Sequence, residues 1–181
     1  DVEFGLGNKT MKVLGLGALE QRLQHDLNII GYPLNEWVPE KFTKEGERVL
    51  DVLIVGAGQG GLAIAFQLMR ERVNNVLVID KAEPGTEGPW INYARMPILR
   101  SPKEVNGPDL NIPSLSFQAW YEAQFGASSW EAMGKIPTKM WMDYLVWYRR
   151  ILQLPVENGV RLDTFEPYED IQKVTLCCLR T

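Results

Sequence analysis

The 181 residues hold one histidine and two cysteines, so imidazole and thiolate chemistry has little to draw on. His25 lies off the apolar stripe of its helix and reads as a solvated surface residue. Cys177 and Cys178 are adjacent, and neighbouring cysteines rarely bridge without strain. They also lack the second pair that a zinc site requires, so they read as two apolar strand residues. A disulfide reductase, which needs two cysteines spaced to bridge beside its cofactor, is disfavoured. Metal ligands: none are expected. No apolar run approaches the about 20 residues of a membrane span, and no signal-peptide pattern opens the chain. The expected setting is therefore cytoplasmic, with no membrane partner. Basic residues cluster only at Arg149-Arg150 and the net charge is −4, which argues against a nucleic-acid partner. No catalytic triad and no metal-ligand cluster can be picked out of the sequence.

Glycine is where the chain is informative. The stretch Asp51-Val-Leu-Ile-Val-Gly-Ala-Gly-Gln-Gly-Gly-Leu-Ala-Ile-Ala65 reads as a strand, a glycine turn and a helix. Val52 to Val55 is the aliphatic run expected of a central parallel strand covered on both faces. Gly56, Gly58 and Gly61 then give G-x-G-x-x-G, with Gly60 as an extra. The first permits the tight turn, the second lets the backbone approach a pyrophosphate, and the third lets helix and strand pack closely. The helix start at Gln59 offers unpaired N–H groups and a positive dipole end to a diphosphate. Ala65, Phe66 and Leu68 continue the helix, Asn74-Asn75 makes a turn, and Val76 to Ile79 is a second strand. It ends at Asp80, about 20 residues past the turn, where a carboxylate accepts from a ribose diol. This order predicts dinucleotide binding. An aspartate here suits NAD, a glutamate FAD and a following arginine NADP, so Asp80-Lys81 leaves the choice open.

The next segment bears on that choice by likeness. Lys81-Ala-Glu-Pro-Gly-Thr-Glu-Gly-Pro-Trp90 resembles the second glycine motif of flavin-dependent monooxygenases, Gly-Gly-x-Trp, with Pro89 in place of a glycine. The run from Gly88 to Pro102 resembles FAD/NAD(P)-binding flavoproteins related to ornithine and lysine N-monooxygenases and flavin-containing monooxygenases. The likeness extends over residues 18–162, strongest between Gly56 and Tyr148, and is to the N-terminal FAD-binding part of that family. It implies an α/β fold: a Rossmann-type FAD-binding domain with a parallel sheet, a helical insertion and a partial β-meander, as a fragment of a two-dinucleotide-binding flavoprotein. The implied cofactor is FAD. NAD(P)H is implied by the family, but its site is absent because no second G-x-G-x-x-G occurs in the chain. The implied activity is NAD(P)H-dependent monooxygenation of a small molecule, in which reduced flavin activates O₂. Trp90, Leu99, Arg100 and Ser101 would lie on the isoalloxazine side, Gly88 would belong to the cofactor site, and Val160 would meet the adenine through its backbone. The alternatives are a non-catalytic FAD- or NAD-binding module and an inactive truncated gene product, the chain opening on Asp1 rather than Met.

Two regions follow from this. Residues 1–47 are expected to form an N-terminal arm, glycine-rich over 1–17, with an amphipathic helix over 18–30 whose stripe is Leu19, Leu23, Leu27 and Ile30. Residues 48–181 are the FAD-binding domain, with a helical insertion over 101–152 and a truncated meander over 153–181. Inside the insertion, Ser116 is placed to cap a helix ending at Phe125, with Gly126 at C′. A second helix from Thr138 to Leu152 carries Trp141, Tyr144, Leu145, Tyr148 and Leu152 at helical spacing. Arg149 and Arg150 suit its C-terminal dipole. Glu157-Asn-Gly159 reads as a turn before the meander. Aromatic stripes at helical spacing usually belong to the core; the other reading is that these helices wall the cofactor or contact a missing half, with Trp120, Trp141 and Trp147 as an aromatic surface that favours self-association.

Overall fold

The computed structural model describes residues 15–33, 35–168 and 171–179. The expectation for the glycine-rich start lies outside the described residues up to position 14. Helix α1, Gly15–Ile29, already includes Gly15 to Gly17. It buries Leu23 and Leu27, while Ile30 falls past its end and is 46% exposed, so the stripe is one residue shorter than the spacing predicts.

Three parallel strands form the sheet, in the order β1 (Val52–Val55), β2 (Val76–Asp80) and β3 (Val156–Asn158). Helix α2, Gln59–Arg70, connects β1 to β2 and buries Leu62, Ala65 and Phe66. β2 is the central strand, and Val78 and Ile79 are fully buried. The expectation that β1 is central is corrected: among the described residues it is an edge strand, and Val55 is 59% exposed. A β-branched run suits a covered strand, but coverage is set by neighbours brought from elsewhere in the chain.

The segment between β2 and β3 is the insertion. Residues 81–112 are irregular, a 3₁₀ turn spans Pro113–Leu115, and helices α3 (Phe117–Phe125), α4 (Ala127–Ala132) and α5 (Thr138–Ile151) follow. Ser116 caps α3 by accepting from the Ala119 N–H, and Gly126 ends it at φ 84°. Helix α5 is the axis of the core: Trp141, Tyr144, Leu145 and Tyr148 are all buried, with Leu152 just past its end. Each such side chain contributes about 1.5–3 kcal/mol by leaving water. The tyrosine hydroxyls are satisfied, Tyr144 donating to Leu115 O at 2.9 Å and Tyr148 to Pro108 O at 2.7 Å.

Trp120, Trp141 and Trp147 are 6%, 5% and 4% exposed, so these rings belong to the core and the expectation of an aromatic surface there is corrected. They interlock instead with Phe117 and Tyr144, ring centroids 5.1–5.9 Å apart. The predicted turn at Glu157 to Gly159 is also corrected. Glu157 and Asn158 belong to β3, paired with Ile79 and Asp80, and only Gly159, at φ 67°, bends the chain. Beyond it, β4 (Val160–Tyr168) and β5 (Ile171–Cys178) form an antiparallel pair, with Cys177 opposite Arg161 and Cys178 opposite Val160.

Candidate nucleotide-binding site

All three parallel strands end at one place: β1 runs into Gly56, β2 stops at Asp80 and β3 stops at Asn158. Open α/β sheets bind ligands beyond these carboxyl ends. Gly56 has φ 107°, a left-handed value that disfavours any side chain, and its N–H donates to Ile79 O at 2.7 Å. Gly61 faces back onto that turn, and a Cβ there would lie 1.9 Å from Gly56 O, so helix and strand are packed as closely as the spacing predicts. Gly58 is the N-cap of α2 and has no side-chain cap, so the first N–H groups of the helix, from Gln59 to Gly61, receive no cap from it. Gly60 is exposed with open space around it.

Asp80 has a second task that sequence reasoning did not assign. Its Oδ2 accepts from the Ala57 N–H at 2.8 Å and its Oδ1 from the Ala82 N–H at 2.8 Å. It therefore fixes both the glycine turn and the start of the following loop. Each oxygen keeps a lone pair for another donor. Lys81 is exposed.

The loop after Asp80 folds over the turn. Gly88, at φ 69°, packs its Cα 3.7 Å from where a Cβ on Gly58 would sit. Trp90 lies beneath it, its Nε1 close to Gly88. Aligned on Trp90, the first glycine of Gly-Gly-x-Trp falls on Glu87 and Pro89 takes the free position, which corrects the earlier placing of the departure at Pro89. Trp90, Leu99, Arg100 and Ser101 then line one recess of about 250 Å³ together with Gln59 and Trp141. The Lys135 ammonium holds its rim, donating to Arg100 O at 2.6 Å and Ser101 O at 3.1 Å. The indole N–H groups of Trp90 and Trp141 are both buried without an acceptor. Two orphan donors beside one recess fit a ligand that carries acceptors. The turn likewise fits a diphosphate, because a methyl group on Gly58 would occupy the approach to the uncapped helix start.

Val160 is buried in β4, one residue beyond Gly159, whose N–H donates to Ala82 O at 3.3 Å. It is thus brought close to the loop that follows Asp80. Sequence reasoning missed Glu87 and Asn158, and took Arg149 only as a dipole partner. Glu87 is 1% exposed and is paired with Arg149 at 2.5 Å. Arg150, by contrast, pairs with Glu20 of α1. The one signal for Glu87 was its place inside a glycine motif.

Over 154 residues the chain is 53% identical to the FAD-dependent urate hydroxylase of Xanthomonas campestris pv. campestris, covering 85% of this chain and 32% of that protein. It is 33% identical to the FAD-binding monooxygenase andJ of Emericella variicolor over a 99-residue alignment that covers 40% of this chain and 16% of that protein. The chain thus spans a third or less of the length of these relatives. No solved structure matches it. The turn, Asp80, the loop to Trp90 and the recess all fall within residues 53–173, which match the family described as FAD-NAD(P)-binding. Since that match takes in most of the described chain and every element of the site, the chain belongs to the FAD-NAD(P)-binding family.

Proposed function

We propose that this chain is the FAD-binding part of an NAD(P)H-dependent flavoprotein monooxygenase. One observation carries the reading: the uncapped start of α2, Asp80, Gly88 and the recess beside Trp90 converge at the carboxyl ends of the three parallel strands. In this reading the N–H groups from Gln59 to Gly61 take the diphosphate. Asp80 takes a ribose hydroxyl with its remaining lone pairs, and Val160 contributes backbone to the adenine. Trp90, Leu99, Arg100 and Ser101 border the flavin ring, and the two indole N–H groups supply donors to its acceptor atoms. Bound flavin supplies electron exchange with a nicotinamide and with O₂, while these residues bind, orient and exclude water.

The names of the relatives extend the proposal to a small-molecule substrate, with urate, the substrate in one of those names, as the first compound to assay. No helix among the described residues is long and apolar enough to cross a membrane, and a cytoplasmic setting suits the reading. G-x-G-x-x-G occurs once in the 181 residues, so the turn serves the flavin and NAD(P)H has no turn of its own here. The test is retention. After incubation with FAD and desalting, the chain should keep close to one flavin per chain, seen by its visible absorbance; loss of all flavin would count against the reading.

A further inference from the structure

We propose that Glu87, Arg149 and Asn158 are positioning residues that lock the loop over residues 81–90 onto the sheet and so set the nucleotide site; this rests on the FAD-binding reading. The loop has no regular secondary structure, and Gly88 at its end must sit against Gly58 at φ 69°. Side chains from two distant elements hold it there.

Glu87 is the centre of the lock. Its Oε2 accepts from the Gly85 N–H at 2.8 Å, and its Oε1 accepts from Arg149 Nη1 at 2.5 Å and from Asn158 Nδ2 at 2.6 Å. Asn158 Nδ2 also donates to Ala82 O at 3.0 Å, and its Oδ1 accepts from Arg149 Nη1 at 3.1 Å. One guanidinium nitrogen thereby joins α5, the loop and the end of β3. Asn158 stands opposite Asp80 in the sheet, so the network begins where the Asp80 contacts to Ala57 and Ala82 leave off.

A buried ion pair is a poor way to gain stability, since apolar side chains of similar volume often serve as well. It does specify geometry, because its bonds are satisfied in one arrangement only. Charge gives a second reason. Glu87 is a buried carboxylate beside a turn proposed to receive a diphosphate, and Arg149 offsets its charge so that the second anion is not repelled.

The experiment titrates FAD into the chain and into Glu87→Gln, Arg149→Met and Arg149→Lys, beside thermal melts and amide exchange of the loop. At a temperature where circular dichroism shows each variant folded, Glu87→Gln and Arg149→Met should weaken FAD binding about tenfold to a hundredfold. Arg149→Lys, which keeps a single cationic nitrogen in place, should stay within about threefold. Amide exchange over residues 82–88 should quicken in the two disruptive variants and not in Arg149→Lys. Should either single variant fail to fold because it strands a buried group, Glu87→Gln with Arg149→Met removes both charges; it should fold and still bind FAD weakly. Lower melting temperatures with unchanged FAD affinity in the folded variants would mean a merely structural role and overturn the inference alone. A parent chain that binds no FAD would overturn both this inference and the reading beneath it.

Discussion

A methyl group at position 61 and one at position 58 meet different surroundings. At Gly61 it lands 1.9 Å from a backbone oxygen, so Gly61→Ala forces α2 away from β1 and should cost about 1–3 kcal/mol or more, read as a lowered melting temperature. At Gly58 the nearest atom is 3.7 Å away and φ is −69°, so Gly58→Ala should melt like the parent and lose FAD. Asp80→Ala removes two acceptors of backbone N–H groups as well as the proposed ribose contact. Each bond to a charged acceptor is worth about 1.5–3 kcal/mol, so the variant should lose stability and FAD affinity together in parallel melts and titrations. The turn at Gly56 and the close packing at Gly61 were legible in the sequence because each is a local backbone requirement. The grip of Asp80 on Ala57, and the pairing of Glu87 with Arg149 and Asn158, join residues 23, 62 and 71 positions apart. No local pattern encodes such pairs.

Helices α3 and α5 were readable because their caps and stripes are local. Ser116→Ala should lower stability by about 1 kcal/mol in a thermal or urea melt, since the Ser116 hydroxyl accepts from Ala119 N at 3.1 Å. α5 also packs near Tyr32, whose hydroxyl donates to Leu152 O at 2.9 Å and whose pKa burial pushes up to about 12. Burial likewise raises Tyr144 and Tyr148. For a phenol raised in the folded state, the stabilisation is complete below the ordinary value of 10.0 and is lost as pH rises towards 12. Melting temperature should fall over that window, and less steeply in Tyr32→Phe. β3 was misread because Asn-Gly is a strong turn signal; pairing with the buried strand β2 overrides it for Asn158 and leaves only Gly159 to turn.

For the whole molecule, the order of strand, glycine turn, helix, strand and acid was enough to place the chain among dinucleotide-binding folds. It misplaced the central strand, reading β1 where β2 stands, because coverage depends on how distant elements pack. The burial of Trp120, Trp141 and Trp147 in one cluster places these three rings in the core. A single nucleotide turn also limits catalysis. Hydride transfer needs the nicotinamide within about 3–3.5 Å of its acceptor, so the chain with FAD and oxygen should oxidise NADPH no faster than a blank in an absorbance assay.

The most direct test of flavin binding at the glycine turn is a fluorescence titration of the chain with FAD, set against NAD and repeated on Gly58→Ala. The account predicts saturable FAD binding that is tighter than NAD binding and abolished in Gly58→Ala while the fold persists. Tighter binding of NAD, or equal FAD binding by Gly58→Ala, would contradict it.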